Sequence, residues 1–464
     1  MDLFRLTATE ASELMRRREL SPVDLLESVI ARTEATEPVI NAVTEQWIDE
    51  ARDAARTSEA RFAAGDDLRP LEGIPLMLKD EQPIAGRLLE DGCLLEKGHI
   101  ADETHPIVER IVAAGAVVHA RTTTPEYCCA PVTHSKLWGI TRNPWNPDFT
   151  PGGSSGGSGA VLAAGSTLLA TGSDIGGSIR IPASFCGVVG FKPPFGRVPG
   201  MAPFNSDTYC ADGPMGRSVG DVAMLQNVIS GPWVGDAASL REVATVSGAV
   251  GSLEGVRIAL CLDLGGYDVD PSVEHNTRAV GQALVAAGAT VDVVELPWGP
   301  DLVQETSWPH FGAVMGPFIE SILEGDASRA DQLMPYTRAF AAKAAAGGDY
   351  VEGLVAESAF YRPFAELMTE YDALVCPTIA TTGVAADEPS TDSAAVFGKL
   401  MTLPFNVIGR VPVLAVPSGV APNGVPTGVQ IVGRTYDDAA VFRVGAALEQ
   451  EHGLWTDPAW WPVV

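Results

Sequence analysis

Positive charge is scarce in this sequence. Lysine occurs six times, at 79, 97, 136, 192, 343 and 399, and Lys plus Arg total 31 against 59 Asp plus Glu, a net charge of −28. A field of that sign repels phosphate backbones and anionic headgroups, so neither nucleic acid nor a membrane surface is an expected partner. No uninterrupted apolar run reaches the roughly 18 residues of a bilayer-spanning helix. The opening segment MDLFRLTATEASELMRRREL lacks the basic-then-apolar pattern of a secretory signal, and the expected location is cytoplasmic. Paired cysteines are also missing. The seven at 93, 128, 129, 186, 210, 261 and 376 are odd in number and widely spaced, and the adjacent Cys128 and Cys129 do not form a CxxC. Reduced thiols are the consequence. The seven histidines show neither HExxH nor HxH spacing, so no metal site is expected, and no cofactor.

What is present supports a large core, since 46% of the 464 residues are hydrophobic. Residues 7 to 63 read as helices: Thr7 and Glu10 have capping-box spacing, Ser21-Pro22 offers a second helix start, and apolar positions follow at helical period. Beyond Leu71 the pattern changes to short apolar runs at Ile74–Leu78, Ala116–Ala120, Val256–Leu262, Thr290–Val294, Ala373–Cys376, Pro412–Val416 and Gly428–Val432, which read as strands. Helical stretches such as His275–Ala287 and Asp437–Gln450 lie between them. Strands alternating with helices predict an α/β fold, a single large domain of residues 1–464 with a mostly mixed sheet covered by helices on both faces. Residues 1–65 form a helical segment packed on that domain, and residues 231–252 are a candidate subdomain seam. The segment around Asp387–Thr391 reads as a surface loop.

The stretch TPGGSSGGSGAVLAAGSTLLATGSDIGGSIRIP, residues 150–182, resembles a flexible linker at its start. A linker should have polar, mobile neighbours. Here GGSSGGSG runs into AVLAAGSTLLATG, which reads as a buried helix, and a second glycine-serine turn, DIGGSIRIP, follows it. Glycine pairs before a serine let successive N–H groups converge on one point, as an oxyanion requires. The amides of Ile175, Gly176 and Gly177 are therefore placed to face the group that Ser178 attacks. Serine needs a base, and the segment contains no histidine. GxSxG occurs around both Ser154 and Ser155, but a nucleophile elbow must follow a strand, and ITRNPWNPDFTP with its three prolines is not one. Lys79, at the end of the apolar run in LEGIPLMLKD, offers a different base, because burial disfavours its ammonium form and lowers its pKa.

Taken together, GIPLMLKD, GGSSGGSGA and SDIGGSIRIPASFCGVVGFKPPFGRVP resemble the amidase signature family of Ser-Ser-Lys hydrolases. SPVDLLESVIARTEATEPVINAV and GVPTGVQIVGRTYDDAAVFRVGAALE extend the likeness over nearly the whole chain. The resemblance implies that Ser178 is the nucleophile, that Lys79 is the ultimate base, and that Ser154 bridges them after a cis peptide bond. It further implies that Ser155 lies beside the proton path in a supporting role. Asp174 and Arg180, which flank the nucleophile, are expected to pair and fix the loop; Cys186 and Lys192 are expected to pack rather than react. The implied activity is hydrolysis of a small-molecule amide. A carbamate or ester hydrolase is a close variant, and a glutamine-hydrolysing component of an amidotransferase is a further alternative. A monomer or homodimer is expected. The segment EQPIAGRLLEDGCLLEKGH, directly after Lys79-Asp80, departs from the small Thr/Gly stretch of many relatives. TTTPEYCCAPVTHSKLWG likewise departs from the amidotransferase pattern. Trp138, Phe195, Tyr209, Trp308, Phe311 and Phe318 are candidates for a pocket.

Overall fold

The computed structural model describes residues 2–323, 325–387, 396–453, 457 and 459–464. Residues 388–391 of the expected surface loop lie outside the described residues.

Local sequence sets the first helices. Helix α1 (Ala8–Arg16) starts at the Thr7 hydroxyl, which accepts the Glu10 amide, while Glu10 returns a carboxylate to the Thr7 amide. Helix α2 (Pro22–Ile40) is capped by Ser21 with Pro22 in its first turn, and it ends at Asn41 in the left-handed conformation. Helix α3 (Ile48–Ala64) follows. The N-terminal segment is not wholly helical: β1 (Val43–Gln46) intervenes and pairs antiparallel with β3 (Val117–Thr122) at the sheet edge.

The remaining strands are β2 (Pro75–Lys79), the short pair β4 (His134–Ser135) and β5 (Gly139–Ile140), β6 (Leu169–Asp174), β7 (Val189–Lys192), β8 (Ala211–Gly216), β9 (Arg257–Leu260), β10 (Thr290–Val293), β11 (Ala373–Pro377), β12 (Val413–Val420) and β13 (Pro426–Gly433). Eleven of the strands form one mixed sheet in the order β1-β3-β2-β6-β8-β7-β12-β13-β11-β9-β10. All seven strands expected from apolar runs lie in this sheet, with ends displaced by up to four residues. Residues 231–252, the candidate seam, carry no helix or strand.

One expectation fails in an instructive place. The apolar run after the first glycine-serine turn is not a single helix: α4 (Pro106–Ala113) precedes it, α5 (Gly156–Ala164) ends at Gly165 with φ 82°, and Leu169–Asp174 then runs extended as β6. Glycine takes that left-handed angle without a Cβ penalty, so it stops the helix and lets the chain re-enter the sheet. The strands that matter most, β2, β3 and β6, are parallel neighbours, with Lys79 opposite Thr122 and Met77 opposite Ala170. Their carboxyl ends therefore emerge on one side of the sheet. In open α/β sheets that is where ligands bind.

Candidate active site

Strand β2 is buried along its whole length, as a central parallel strand flanked by two others must be, and it delivers Lys79 into the interior with no exposed surface. Nζ donates to Ser154 Oγ at 2.7 Å and to Ser173 Oγ at 2.8 Å. Glu81 Oε2 lies 3.3 Å away on the third side. Ser154 follows a cis peptide bond from Gly153. The first glycine-serine turn is buried throughout and the second is buried except at the partly exposed Ile175 and Gly176, which excludes a tether.

Ser155 joins the two turns. Its amide donates to the Ser178 carbonyl at 3.1 Å, and its hydroxyl contacts both the carbonyl and the amide of Ser173 at 3.3 Å. This brings Ser178, 8% exposed, alongside the Lys79–Ser154 pair. Among the described residues no side-chain hydrogen bond joins Ser154 to Ser178; the connection runs through the Ser155 backbone.

Asp174 ends β6 and Arg180 begins α6 (Arg180–Cys186), and the two meet through paired hydrogen bonds of 2.9 Å with no exposure on either side. Asp174 also accepts Asn406 Nδ2 at 2.8 Å and the amides of Gly177 at 2.8 Å and Ile179 at 3.2 Å. Burial pushes the Asp174 carboxyl up, but the Arg180 guanidinium outweighs it and holds the group down at about 2. Gly177 cannot be replaced: its φ is 125°, and a Cβ there would lie 2.1 Å from Thr402 Oγ1. The Gly177 amide differs from the expected arrangement. It is committed to Asp174, whereas the amides of Ile175 and Gly176 make no such bond.

Lys79 also departs from expectation. Burial does pull its ammonium down, but the Glu81 carboxylate 3.3 Å away opposes burial, so that its charge state is a balance and not the outcome of burial alone. The Cys128 thiol is itself pushed far up by burial and by Glu81, so it is a neutral donor, 2.7 Å from Glu81 Oε2. The charge that holds Lys79 is therefore the Glu81 carboxylate, itself raised by burial but brought down overall by Lys79. Sequence reasoning missed Glu81, Ser173 and Cys128. Glu81 was within reach, two residues past the lysine.

A cavity of about 290 Å³ opens beside Ser154. Its lining includes the acids Glu81, Asp91 and Asp212 and the apolar side chains of Met201, Phe204, Met315 and Phe318. A second cavity of about 40 Å³ touches Ser178 and Gly176 and shares Cys128, Ile175 and Met315 with the first. Of the aromatic candidates, Phe195 and Phe318 line the larger cavity and Phe311 the smaller. Tyr209 instead stacks on His310 at 3.7 Å, and Trp308 packs on Phe311 and Phe340. Neither they nor Trp138 line either of these cavities. Lys192 is buried against the carbonyls of Pro193 and Gly409, and burial lowers it to about 7, but it reaches neither cavity. Cys186 is buried too, with its thiol on the Pro151 carbonyl. Among the described residues no group of three His, Cys, Asp or Glu side chains is arranged to hold a metal, and no helix is long and apolar enough to cross a membrane.

Comparison with known proteins places these features in context. A glutamyl-tRNA(Gln) amidotransferase subunit from Chloroflexus aurantiacus is 32% identical, and the match covers 97% of each chain. The solved structure of a 6-aminohexanoate cyclic dimer hydrolase superposes with a TM-score of 0.86 at 30% identity, over 98% of this chain and 99% of that one. A bacterial aryl acylamidase of the amidase signature enzymes superposes with a TM-score of 0.84 at 27% identity, over 96% of both chains. The family model described as Amidase matches residues 24–442, and the chain belongs to that family, the amidase signature enzymes.

Proposed function

We propose that the protein hydrolyses the carbon–nitrogen bond of a small-molecule amide through an acyl-enzyme on Ser178. The observation that carries this reading is the 2.7 Å hydrogen bond from buried Lys79 to Ser154, beside the loop that presents Ser178. In acylation Ser178 passes its proton to Ser154 and Ser154 passes one to Lys79, while the Ser178 oxygen bonds to the acyl carbon. The Ile175 and Gly176 amides hold the developing oxyanion. The Asp174–Arg180 pair keeps the loop in shape, and Gly177 contributes through its amide to Asp174 rather than to the substrate. Ser154 returns a proton to the departing nitrogen, and water then releases the acid.

The cavity walls favour a small, partly apolar substrate. Free glutamine, the donor that a glutamine-hydrolysing amidotransferase would use, brings an α-carboxylate, yet the larger cavity is lined by Glu81, Asp91, Asp212 and Asp236 with no Lys or Arg among its lining residues. Acids suit glutamine's α-ammonium, but its α-carboxylate meets no cationic side chain in that lining. The 32% identical relative named as part of an amidotransferase supports the second reading, and glutaminase activity together with copurifying partner proteins would establish it.

A panel of amides, anilides, carbamates and esters tests the proposal and sorts amide from carbamate and ester preference, since the same three residues serve each. Ser178→Ala should lose at least about a thousandfold in kcat on every substrate turned over. Retention of substantial turnover by Ser178→Ala would remove the nucleophile from the scheme.

A further inference from the structure

The larger cavity joins acids to apolar side chains and has no Lys or Arg in its lining, and its acids are not alike. Asp236 is committed to its own loop, where it accepts the amides of Gly200 at 3.1 Å and Ala238 at 2.9 Å and Asn205 Nδ2 at 3.3 Å. Glu81 lies beside Lys79 and accepts from Cys128. Asp91 and Asp212 form no ion pair with a lysine or arginine among the described residues. Asp212 stands on β8 directly opposite Ser173, whose hydroxyl accepts from Lys79. Its Oδ1 accepts Gln82 Nε2 at 2.9 Å, and its Oδ2 lies 3.5 Å from His105 Nε2. That ring is neutral: burial lowers it to about 4, and its Nδ1 accepts the Ile107 amide. Asp91, in the loop after β2, has a left-handed φ of 45°, and among the described residues its carboxyl accepts no hydrogen bond. Carboxyls gathered in a partly enclosed site without a cation are hard to ionise, and a cationic ligand relieves them.

We propose that the substrate is a monoacylated diamine, whose short acyl chain occupies the smaller cavity and whose free ammonium is held by Asp91 and Asp212 in the larger. This rests on the Ser178–Ser154–Lys79 reading above and names its substrate. Ser178 and Gly176 touch the smaller cavity, Ser154 the larger, and Ile175 both. The acyl carbon bonded to Ser178 therefore lies where the two meet, and the nitrogen that takes its proton from Ser154 leaves toward the larger. Met201, Phe204, Met315 and Phe318 suit the methylene chain that follows. Its far end carries the ammonium, which donates to the two carboxylates. Overall, water adds across the carbon–nitrogen bond: its hydroxyl goes to the acyl carbon and its hydrogen to the nitrogen, which keeps the bonding pair. The products are a short carboxylic acid and a diamine.

Other groups face these two acids and bear on their titration. Around Asp212 they are Lys79 from β2, Glu81 from the turn after it, His105 at the start of α4 and Cys210. Around Asp91 they are Asp80 and Glu81 from that turn, Glu96 from the same loop, Arg121 from β3, and Cys128 and Cys129 from the segment after it. Burial, with Asp80 and Glu81, raises Asp91, and burial with Glu81 raises Asp212 to about 7. An ammonium beside them favours their ionised forms, so its binding releases protons and strengthens as pH rises through about 7. The substrate's own amine, with an ordinary value of about 10.4, stays protonated throughout.

The test measures kcat/KM near pH 8 for three amides. N-acetylhexanediamine is compared with N-heptylacetamide, in which a methyl replaces the ammonium, and with the N-ethyl amide of aminohexanoic acid, an isomer that carries the ammonium on the acyl half. In an apolar site the heptyl compound would lead, because an unpaired ammonium is unfavourable there. Here N-acetylhexanediamine should lead both by at least about tenfold, the size of hydrogen bonds to a charged group. Its lead over the heptyl compound should shrink near pH 6, and also in Asp91→Asn and Asp212→Asn, most of all when the two are combined. Equality with the heptyl compound or the isomer, or a lead by either, overturns the proposal, as does a lead that neither pH nor the variants alter. Should the variants fail to fold, the ordering of the three compounds and its pH dependence still decide. If the wild type turns over none of them, they are compared as competitive inhibitors of the best substrate of the panel, and the same ordering is required of the inhibition constants. If Ser178→Ala hydrolyses N-acetylhexanediamine, the underlying reading fails. If Ser178→Ala is inactive and the heptyl compound leads in the wild type, only the diamine assignment fails.

Discussion

Replacing Asp174 by Asn changes charge and almost nothing in volume, so its effect isolates the electrostatic support of the loop that carries Ser178. In the wild type, Oδ1 accepts the Gly177 amide, Arg180 Nη2 and Asn406 Nδ2, and Oδ2 accepts the Ile179 amide and Arg180 Nε. Asn keeps one acceptor. Its NH2 occupies the place of the other oxygen and turns a donor toward donors. It also leaves Arg180 as a buried cation without its anion, with only the Thr402 carbonyl, Gln430 and Asn406 oxygens remaining. Breaking a buried pair from one side costs roughly 3–5 kcal/mol, a large share of the roughly 5–15 kcal/mol that holds a domain folded.

Part of that cost is linked to pH. A carboxyl brought from 3.8 down to about 2 contributes roughly 2 kcal/mol. Because the folded-state value is depressed, the contribution is complete above the unfolded value and is lost as pH falls through about 2. Urea unfolding followed by circular dichroism should therefore show Asp174→Asn less stable by about 3–5 kcal/mol at neutral pH, with the gap narrowing by about 2 kcal/mol at the acid end. A gap under about 1 kcal/mol, the size of an ordinary hydrogen bond, would refute the argument, as would one that ignores pH.

His310 is predicted to carry a stability term of opposite pH sense. It lies 2.7 Å from Asp207 and 3.6 Å from Glu357; burial lowers it, but the two carboxylates prevail and raise it to about 9. Its stabilisation, about 3 kcal/mol, is complete below the ordinary histidine range near 6.5 and disappears as pH rises through about 9, so the stability difference between wild type and His310→Gln should shrink across that window; a constant difference would contradict it. Phe318, set edge-on to Phe204 at 5.1 Å and to Tyr127 at 5.9 Å, forms part of the apolar cavity wall. Phe318→Ala should raise KM for aryl-bearing substrates by roughly tenfold, equivalent to about 1.4 kcal/mol, and barely alter that for short aliphatic ones; equal changes for both would show that this wall does not select the substrate.

The parts of this protein legible in its sequence are those whose cause is local. The Thr7–Glu10 box, the Ser21-Pro22 start and the run Ile74–Leu78 each need only their own neighbours, and each reappears in the structure. Leu169–Asp174 was not legible as a strand, because LLATGS has neither helical nor alternating period and its extended form is imposed by β2 and β8 on either side. The Asp174–Arg180 pair could be anticipated from a spacing of six residues, but its anchors at Thr402, Asn406 and Gln430 come from more than 220 positions away.

The charge state of Lys79 divides along the same line. That the lysine would be buried follows from the strand on which it stands, and burial alone argues for a neutral amine. Its actual balance is a sum over space, to which β2 contributes the lysine, the following turn Glu81, the segment after β3 Cys128, and β6 Ser173. Only the first of these terms is encoded in the strand. A motif can therefore be recognised from residue types and order, while the electrostatic balance at its lysine also depends on a carboxylate supplied by the turn that follows the strand.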